Sequence, residues 1–275
     1  MPQDNPPDLT DRAALARHRA RARALPEPAL FLHRSAASEM QERLAEVNRR
    51  FTAPALITPF PEAWAPALPG ARVVAEADTL DLAPGADGLV VHAMALHWAN
   101  DPVGQLVQCR RALRPDGLFL GVLFGGRTLW ELRAALAEAE ARVAGGLSPR
   151  VAPMGEIRDL GGLLQRAGFA LPVADSVALT ASYETAFHLM RDLRAMGEGN
   201  ALCQRAGATP RTLFERADQK YADAFSENGR ISATFEMVFL TGWAPHESQP
   251  KPLKPGSATA RLADFLGDGK SELPD

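Results

Sequence analysis

The chain has 275 residues, of which 46% are hydrophobic and 23% charged, enough apolar material for one main domain with additions and against disorder throughout. A net charge of -3 argues against general nucleic-acid binding, which calls for a basic domain or stripe. Apolar runs such as Leu118 to Phe124 are too short to cross a bilayer, and the start Met1-Pro2-Gln3-Asp4-Asn5 lacks the basic and apolar regions of a secretory signal, so a cytoplasmic protein is expected.

Residues 1 to 8 are rich in Pro and Asp and read as disordered. From Thr10, read as an N-cap, an alanine-rich helix runs to Arg23 and carries Arg12, Arg17, Arg19, Arg21 and Arg23. This basic run is either a solvated face or a surface for an anionic partner or a lipid headgroup layer, which leaves peripheral membrane contact open. A second helix is expected over Leu30 to Phe51, with Phe31, Met40, Leu44 and Val47 on one face.

Strands follow at Pro54 to Thr58, Arg72 to Ala75 and Gly88 to His92. A helix near Asp101 to Leu113 leads through a turn at Arg114-Pro115-Asp116-Gly117 to the all-apolar strand Leu118 to Phe124, the pattern of a strand buried on both faces. Thr128 is read as the cap of a helix over Leu129 to Ala144. Helices near Glu156 to Ala167 and Glu184 to Met196 flank an extended segment Leu171 to Thr180, and a helix near Arg211 to Phe225 precedes a late strand Ala233 to Leu240. The alternation predicts an α/β fold with a mostly parallel, doubly covered sheet. The organisation expected is a helical extension over 1 to 50, an α/β domain over 51 to 250 and a flexible tail over 251 to 275. Cys109 and Cys203 cannot supply a disulfide framework or a four-thiolate zinc site by themselves, and both read as buried free thiols.

Leu96-His97-Trp98-Ala99-Asn100-Asp101, followed by Leu113-Arg114-Pro115-Asp116-Gly117 and an apolar strand, resembles a passage of class I S-adenosylmethionine-dependent methyltransferases. The continuation is sharper. Phe124 to Arg133, Gly146 to Pro153, Arg158 to Leu164, Met190 to Gly197 and Gly242 to Gln249 together resemble the family of the mitochondrial complex I assembly factor 5 and its bacterial relatives, over about residues 71 to 260. That resemblance implies a Rossmann-like methyltransferase sheet, S-adenosylmethionine as the cofactor, and either methyl transfer or a role near arginine hydroxylation of a respiratory complex I subunit.

The sequence departs from the family where the cofactor is normally held. Such enzymes begin with a strand running into a glycine-rich loop whose backbone N–H groups approach the ligand at a helix N-terminus. Here the matching stretch is Ala55-Leu56-Ile57-Thr58-Pro59-Phe60-Pro61-Glu62, without glycine and with two prolines that have no N–H to donate. Only 37 residues, 51 to 87, precede the strand at Gly88, too few for three strands with their crossovers, so the second strand of the family is expected to be absent. The expected form is therefore a class I sheet truncated in its N-terminal half, with N-terminal helices covering what the missing unit leaves bare and a helical C-terminal elaboration.

His97 and Asp101 are the candidate catalytic residues, because they follow a strand at the carboxyl edge of the sheet, where α/β proteins bind ligands. The alternative is a structural loop histidine. Glu76, Trp98, Gly125 and Gly126 are the candidate cofactor contacts: the resemblance puts Glu76 where relatives have an adenine-contacting Asp, against a solvated loop carboxylate as the alternative, and the two glycines either bind an anion or simply make a turn. His92, His97, His246, Asp101 and Glu247 show no spacing that forces convergence on a metal, and no metal is expected. The expected function is binding of a protein partner, a respiratory complex I subunit or a family member, with S-adenosylmethionine binding weakened or lost; the alternative is an active methyltransferase or arginine hydroxylase-like enzyme with an altered pocket.

Overall fold

The computed structural model describes residues 7–47 and 49–250. The expected tail over 251 to 275 and most of the stretch read as disordered at 1 to 8 lie outside these residues. The chain divides into a main unit ending at Pro245 and a second beginning at His246.

The main unit is built on a sheet of strands β1 (Pro54–Ile57), β2 (Arg72–Val74), β3 (Asp87–Ala93), β4 (Leu113–Phe124), β5 (Ala170–Tyr183), β6 (Ser226–Glu227) and β7 (Arg230–Trp243). Their order is β2-β1-β3-β4-β7-β5, with β6 hairpinned onto β7. The first four are mutually parallel and β7 runs antiparallel between β4 and β5. This is the expected Rossmann-like α/β sheet, although it is mixed where a mostly parallel one was expected, three of its six strand pairings being antiparallel. Two strands precede β3, as the length of that stretch requires. The strand expected to be absent was the neighbour of β1, but β2 occupies that place, pairing Ala55 with Arg72 and Ile57 with Val74. Nothing among the described residues lies beyond it, so the sheet is short at its outermost edge instead.

Side chains of β4 alternate between the faces: Leu118, Leu120, Val122 and Phe124 join one core, while Phe119 and Leu123 join the other. Helices α2 (Phe31–Glu46), α3 (Pro61–Trp64), α5 (Trp130–Ala144), α7 (Ala186–Ala195) and α8 (Arg211–Phe225) supply the first core. The second is closed by α4 (Pro102–Ala112) and α6 (Ile157–Arg166). Leu32 and Met40 of α2 are buried in the same core as the sheet residues, with Phe31, Leu44 and Val47 half-buried against it. Helix α2 ends at Glu46, short of the expected Phe51, whose ring instead packs on Trp243.

Helix α1 (Arg12–Arg23) is capped by Asp11, which accepts from the Ala14 N–H, and not by Thr10. Thr10 is instead pinned to Asn100, whose amide accepts from the Thr10 N–H at 2.8 Å, and it bridges to Leu202. The expected turn at Arg114 to Gly117 is a bulge within β4, with Asp116 at φ 61°. Thr128 does not cap α5: its hydroxyl exchanges hydrogen bonds with the Glu236 backbone of β7, and Leu129, at φ 55°, forms the helix entry. Of the two thiols only Cys109 is buried, which pushes its pKa up; Cys203 is exposed.

Candidate functional site

Strands β1, β3 and β4 end at one edge of the sheet, where an α/β fold presents its ligand site. Beyond β3 a short 3-10 turn, Leu96–Trp98, sets His97 and Trp98 side by side. Both reach Glu198, in the glycine-flanked loop after α7: His97 Nε2 lies 3.1 Å from Glu198 Oε2, and Trp98 Nε1 donates to the same oxygen at 2.6 Å. The other oxygen of Glu198 accepts from Arg19 Nη2 at 3.3 Å. Arg19 is buried, with Nη1 3.3 Å from Glu76 Oε2, and Glu76 Oε1 in turn accepts from Arg12 at 3.1 Å. A chain of alternating charge thus runs from Arg12 through Glu76, Arg19 and Glu198 to His97.

The electrostatics follow from burial. Desolvation alone would raise the Glu198 pKa, but His97 and Arg19, with hydrogen bonds from His97 and Trp98, outweigh it and hold the carboxyl down to about 2. Behind it, His33 accepts from Trp64 Nε1 at 3.0 Å. Burial, reinforced by the nearby Arg19, lowers its pKa to about 3. His97 Nδ1 and His92 Nδ1 are buried without a hydrogen-bond partner among the described residues.

The end of β1 offers no cradle for a nucleotide. It runs through Thr58, Pro59 and Phe60 into α3, with the Phe60 ring and Trp64 fully buried where a glycine loop would leave space. Opposite, α1 lies across the cleft: Thr58 and Pro59 of the β1 end and Ala75 and Glu76 of the β2 end share one small cavity with Arg12 and Arg19. Gly197 permits this approach. A Cβ there would stand 3.2 Å from the Arg19 Cα, and the residue has φ 75°.

The expected site residues are therefore only partly brought together. His97 and Trp98 converge on Glu198, and Glu76 joins them through Arg19. The reading of Glu76 as a solvated loop carboxylate is corrected, since its side chain is 10% exposed and doubly ion-paired. Asp101 stands apart as the cap of α4, accepting from the Gly104 N–H at 2.8 Å, and no bond joins it to His97 among the described residues. Gly125 and Gly126 also stand apart. The Gly125 and Arg127 N–H groups donate to Glu236, and a Cβ on either glycine would strike the Glu236 or Glu156 carboxylate. The Gly125 N–H is taken by the Glu236 carbonyl and the Arg127 N–H by the Glu236 carboxylate, and carboxylates crowding both glycines repel an anion, so the turn reading of these glycines stands. Among the described residues no three His, Cys, Asp or Glu side chains cluster as metal ligands. His246 forms a local turn in the second unit, its Nδ1 2.7 Å from Ser248 Oγ.

Sequence reasoning missed Arg19 and Glu198. Arg19 has a readable signal, since it falls four residues after Leu15 and three before Ala22 on the buried stripe of α1. Glu198 has none, being 101 residues from His97.

Comparison with known proteins agrees with this architecture. A methyltransferase domain family matches residues 35–121. "Arginine-hydroxylase NDUFAF5, mitochondrial" of Dictyostelium discoideum is 41% identical over 181 residues, 65% of this chain and 42% of that protein. The Homo sapiens protein of the same name is 38% identical over 208 residues, 75% of this chain and 60% of its own length. A malonyl-[acyl-carrier protein] O-methyltransferase of Laribacter hongkongensis is 36% identical over 184 residues, 66% of this chain and 58% of that protein. The chain thus spans about two fifths to three fifths of the length of these relatives. The mitochondrial naming of the two arginine-hydroxylase relatives overturns the expectation of a cytoplasmic protein. No helix among the described residues is long and apolar enough to cross a membrane, which is silent on compartment. In sheet order, in the methyltransferase domain over residues 35–121 and in 38–41% identity over most of its length, the chain is similar to these methyltransferase-like arginine-hydroxylase proteins.

Proposed function

We propose that this chain acts by binding a protein partner, with S-adenosylmethionine binding weakened or lost. One observation carries the reading: Arg19 reaches into the cleft between the β1 and β2 ends and ties up Glu76, the carboxylate expected to contact a cofactor's adenine. A ligand entering there would have to leave a buried cation without one of its two carboxylates, a costly exchange. The residues present do not fit the cofactor.

The partner surface is centred on the segments from Arg127 to Arg133 and from Ser148 to Pro153. They adjoin, Arg133 donating to the Ala152 carbonyl at 3.2 Å, and beside them Trp130 is 42% and Leu147 72% exposed. Large apolar side chains ringed by arginine are typical interface anchors. By the family resemblance read from the sequence, the partner is a respiratory complex I subunit or another family member; the names of the relatives add only a mitochondrial setting. Arg150 belongs to the support beneath, bound to Glu140 at 2.6 Å.

Calorimetric titration of the purified chain with S-adenosylmethionine tests the first half, and a dissociation constant of micromolar order, about -8 kcal/mol, would sink it. Trp130→Ala and Leu147→Asp, each confirmed to melt normally, test the second in cells lacking the native copy. Normal complex I assembly with both rejects this surface, and normal assembly in the knockout itself removes complex I.

A second reading, an arginine-hydroxylase-like enzyme, is favoured by the 38–41% identity to proteins of that name. Mass spectrometry of the captured partner separates the two: gain of one oxygen on an arginine supports the enzyme, and an unmodified partner supports the scaffold.

A further inference from the structure

Two cavities in the main unit share three lining residues, Arg194, Gly199 and Asn200, so that the two, a chamber and a vestibule, adjoin. The inner chamber, about 200 Å³, is walled by Phe124 and Phe235 of the sheet, Leu132 and Leu136 of α5 and Met190 and Leu193 of α7. The outer one, about 250 Å³, is bounded by His18 and Arg21 of α1 and by Arg194 of α7.

Charge is distributed unevenly between them. Apart from the shared Arg194, the ionic groups on the chamber wall are already matched: Glu198 is held by Arg19, His97 and Trp98, and Arg150 by Glu140. At the vestibule, neither Arg21 nor Arg194 has a carboxylate partner among the described residues. An apolar chamber therefore opens at a mouth carrying two unpaired guanidinium groups. Fixed cations at the rim of an apolar hole recognise a molecule with an aliphatic body and an anionic end.

We propose that chamber and vestibule form a binding site for a single-chain amphiphilic anion, its aliphatic chain in the chamber and its carboxylate or phosphate on Arg21 and Arg194. The chamber is smaller than the roughly 300–1,000 Å³ of a drug-sized pocket, which selects one unbranched chain over a diacyl lipid. The site lies on the α7 side of Glu198, away from the cleft at Glu76, and requires neither S-adenosylmethionine nor a protein partner.

Calorimetry on the full chain, with ligands kept below their micelle-forming concentrations, tests it using decanoate, decyl phosphate, decanol and inorganic phosphate. Saturable binding of decanoate or decyl phosphate is expected, with decanol and inorganic phosphate each at least about tenfold weaker, since each lacks one half of the recognition. Whichever of the first two binds tighter identifies the head. Octanoate should bind more weakly than decanoate, at about fourfold per methylene lost. Arg194→Glu, at an exposed position that leaves the core intact, should weaken decanoate by about tenfold or more, and Met190→Trp should block the chamber. Should Met190→Trp fail to fold, the chain-length series on the unaltered protein reports on the chamber alone. Equal affinity for decanol and decanoate, equal affinity for octanoate and decanoate, or unchanged binding by Arg194→Glu would each overturn the proposal.

Discussion

Arg19 Nη2 lies 3.3 Å from Glu198 Oε1 while Arg19 Nη1 lies 3.3 Å from Glu76 Oε2, so one buried guanidinium from the first helix joins the end of β2 to the loop after α7. Its removal leaves two carboxylates facing a space that water reaches poorly. Arg19→Met should cost about 3–5 kcal/mol in urea unfolding, the scale of breaking a buried pair from one side. Most of that loss should return in the triple variant Arg19→Met, Glu76→Gln, Glu198→Gln, since the penalty arises from uncompensated charge. A single variant within about 1 kcal/mol of the parent would show that the network is solvated.

Acid should destabilise the fold in two stages of the same sign. Burial lowers His33 to about 3 and His92 to about 4, from an ordinary value of 6.5. The unfolded chain takes up protons near 6.5 that the native imidazoles refuse, so stability is complete above that pH and drains away as pH falls toward the folded values. In Glu198 and Glu140 the burial penalty is outweighed by basic and hydroxyl partners, His97 and Arg19 for the first, Arg150 and Ser148 for the second, and both are lowered to about 2 from 4.5. Their contribution is present above 4.5 and lost as pH falls toward 2. Urea midpoints measured across pH should fall first between about 6.5 and 4 and again below about 4.5; His92→Gln should flatten the first stage and Glu198→Gln the second. A flat profile between pH 6.5 and 4 would show that the histidines titrate freely.

Much of the fold is legible because strand and helix periods differ. The apolar run Leu118 to Phe124 and the helix near Glu156 to Ala167 fall where they were read. Legibility ends where a residue's role depends on a distant partner. Thr128 has the chemistry of a helix cap, but Glu236, 108 residues away, takes its hydroxyl. Asp101 and His97 are near in sequence and belong to different tasks, whereas His97 and Glu198 are remote and touch. Arg19 reads as one of five arginines in a basic run, and only its place on the buried stripe distinguishes it.

One local signal passed unused. Asn228-Gly229, at φ 52° and 76°, forms the two-residue turn that pairs Glu227 with Arg230 and starts β7. A β-carbon at 229 meets no neighbouring atom within 4 Å, so the cost of Gly229→Ala is confined to the backbone. That substitution should destabilise by about 1 kcal/mol, and Asn228→Gly should be nearly neutral. Gly229→Ala melting at or above the parent temperature would contradict the turn.

The last prediction concerns the helices before the sheet. Leu30, Leu32 and Met40 are each about 1% exposed and belong to the same core as Leu56, Val91 and Phe239 from β1, β3 and β7. Phe31 of α2 packs edge-on against Phe235 and the Arg43 guanidinium lies over the Phe239 ring, so α2 covers the sheet at β7. A chain beginning at Phe51 would expose that surface in one contiguous patch, and it should be recovered as insoluble protein. Because truncation can fail for other reasons, Met40→Ala in the full chain gives the quantitative check: a loss of about 2–5 kcal/mol in urea unfolding is expected for a large buried side chain with little room to collapse. A soluble chain from Phe51 with a cooperative melt, or a Met40→Ala loss below about 1 kcal/mol, would make the N-terminal helices an appendage that the sheet can do without.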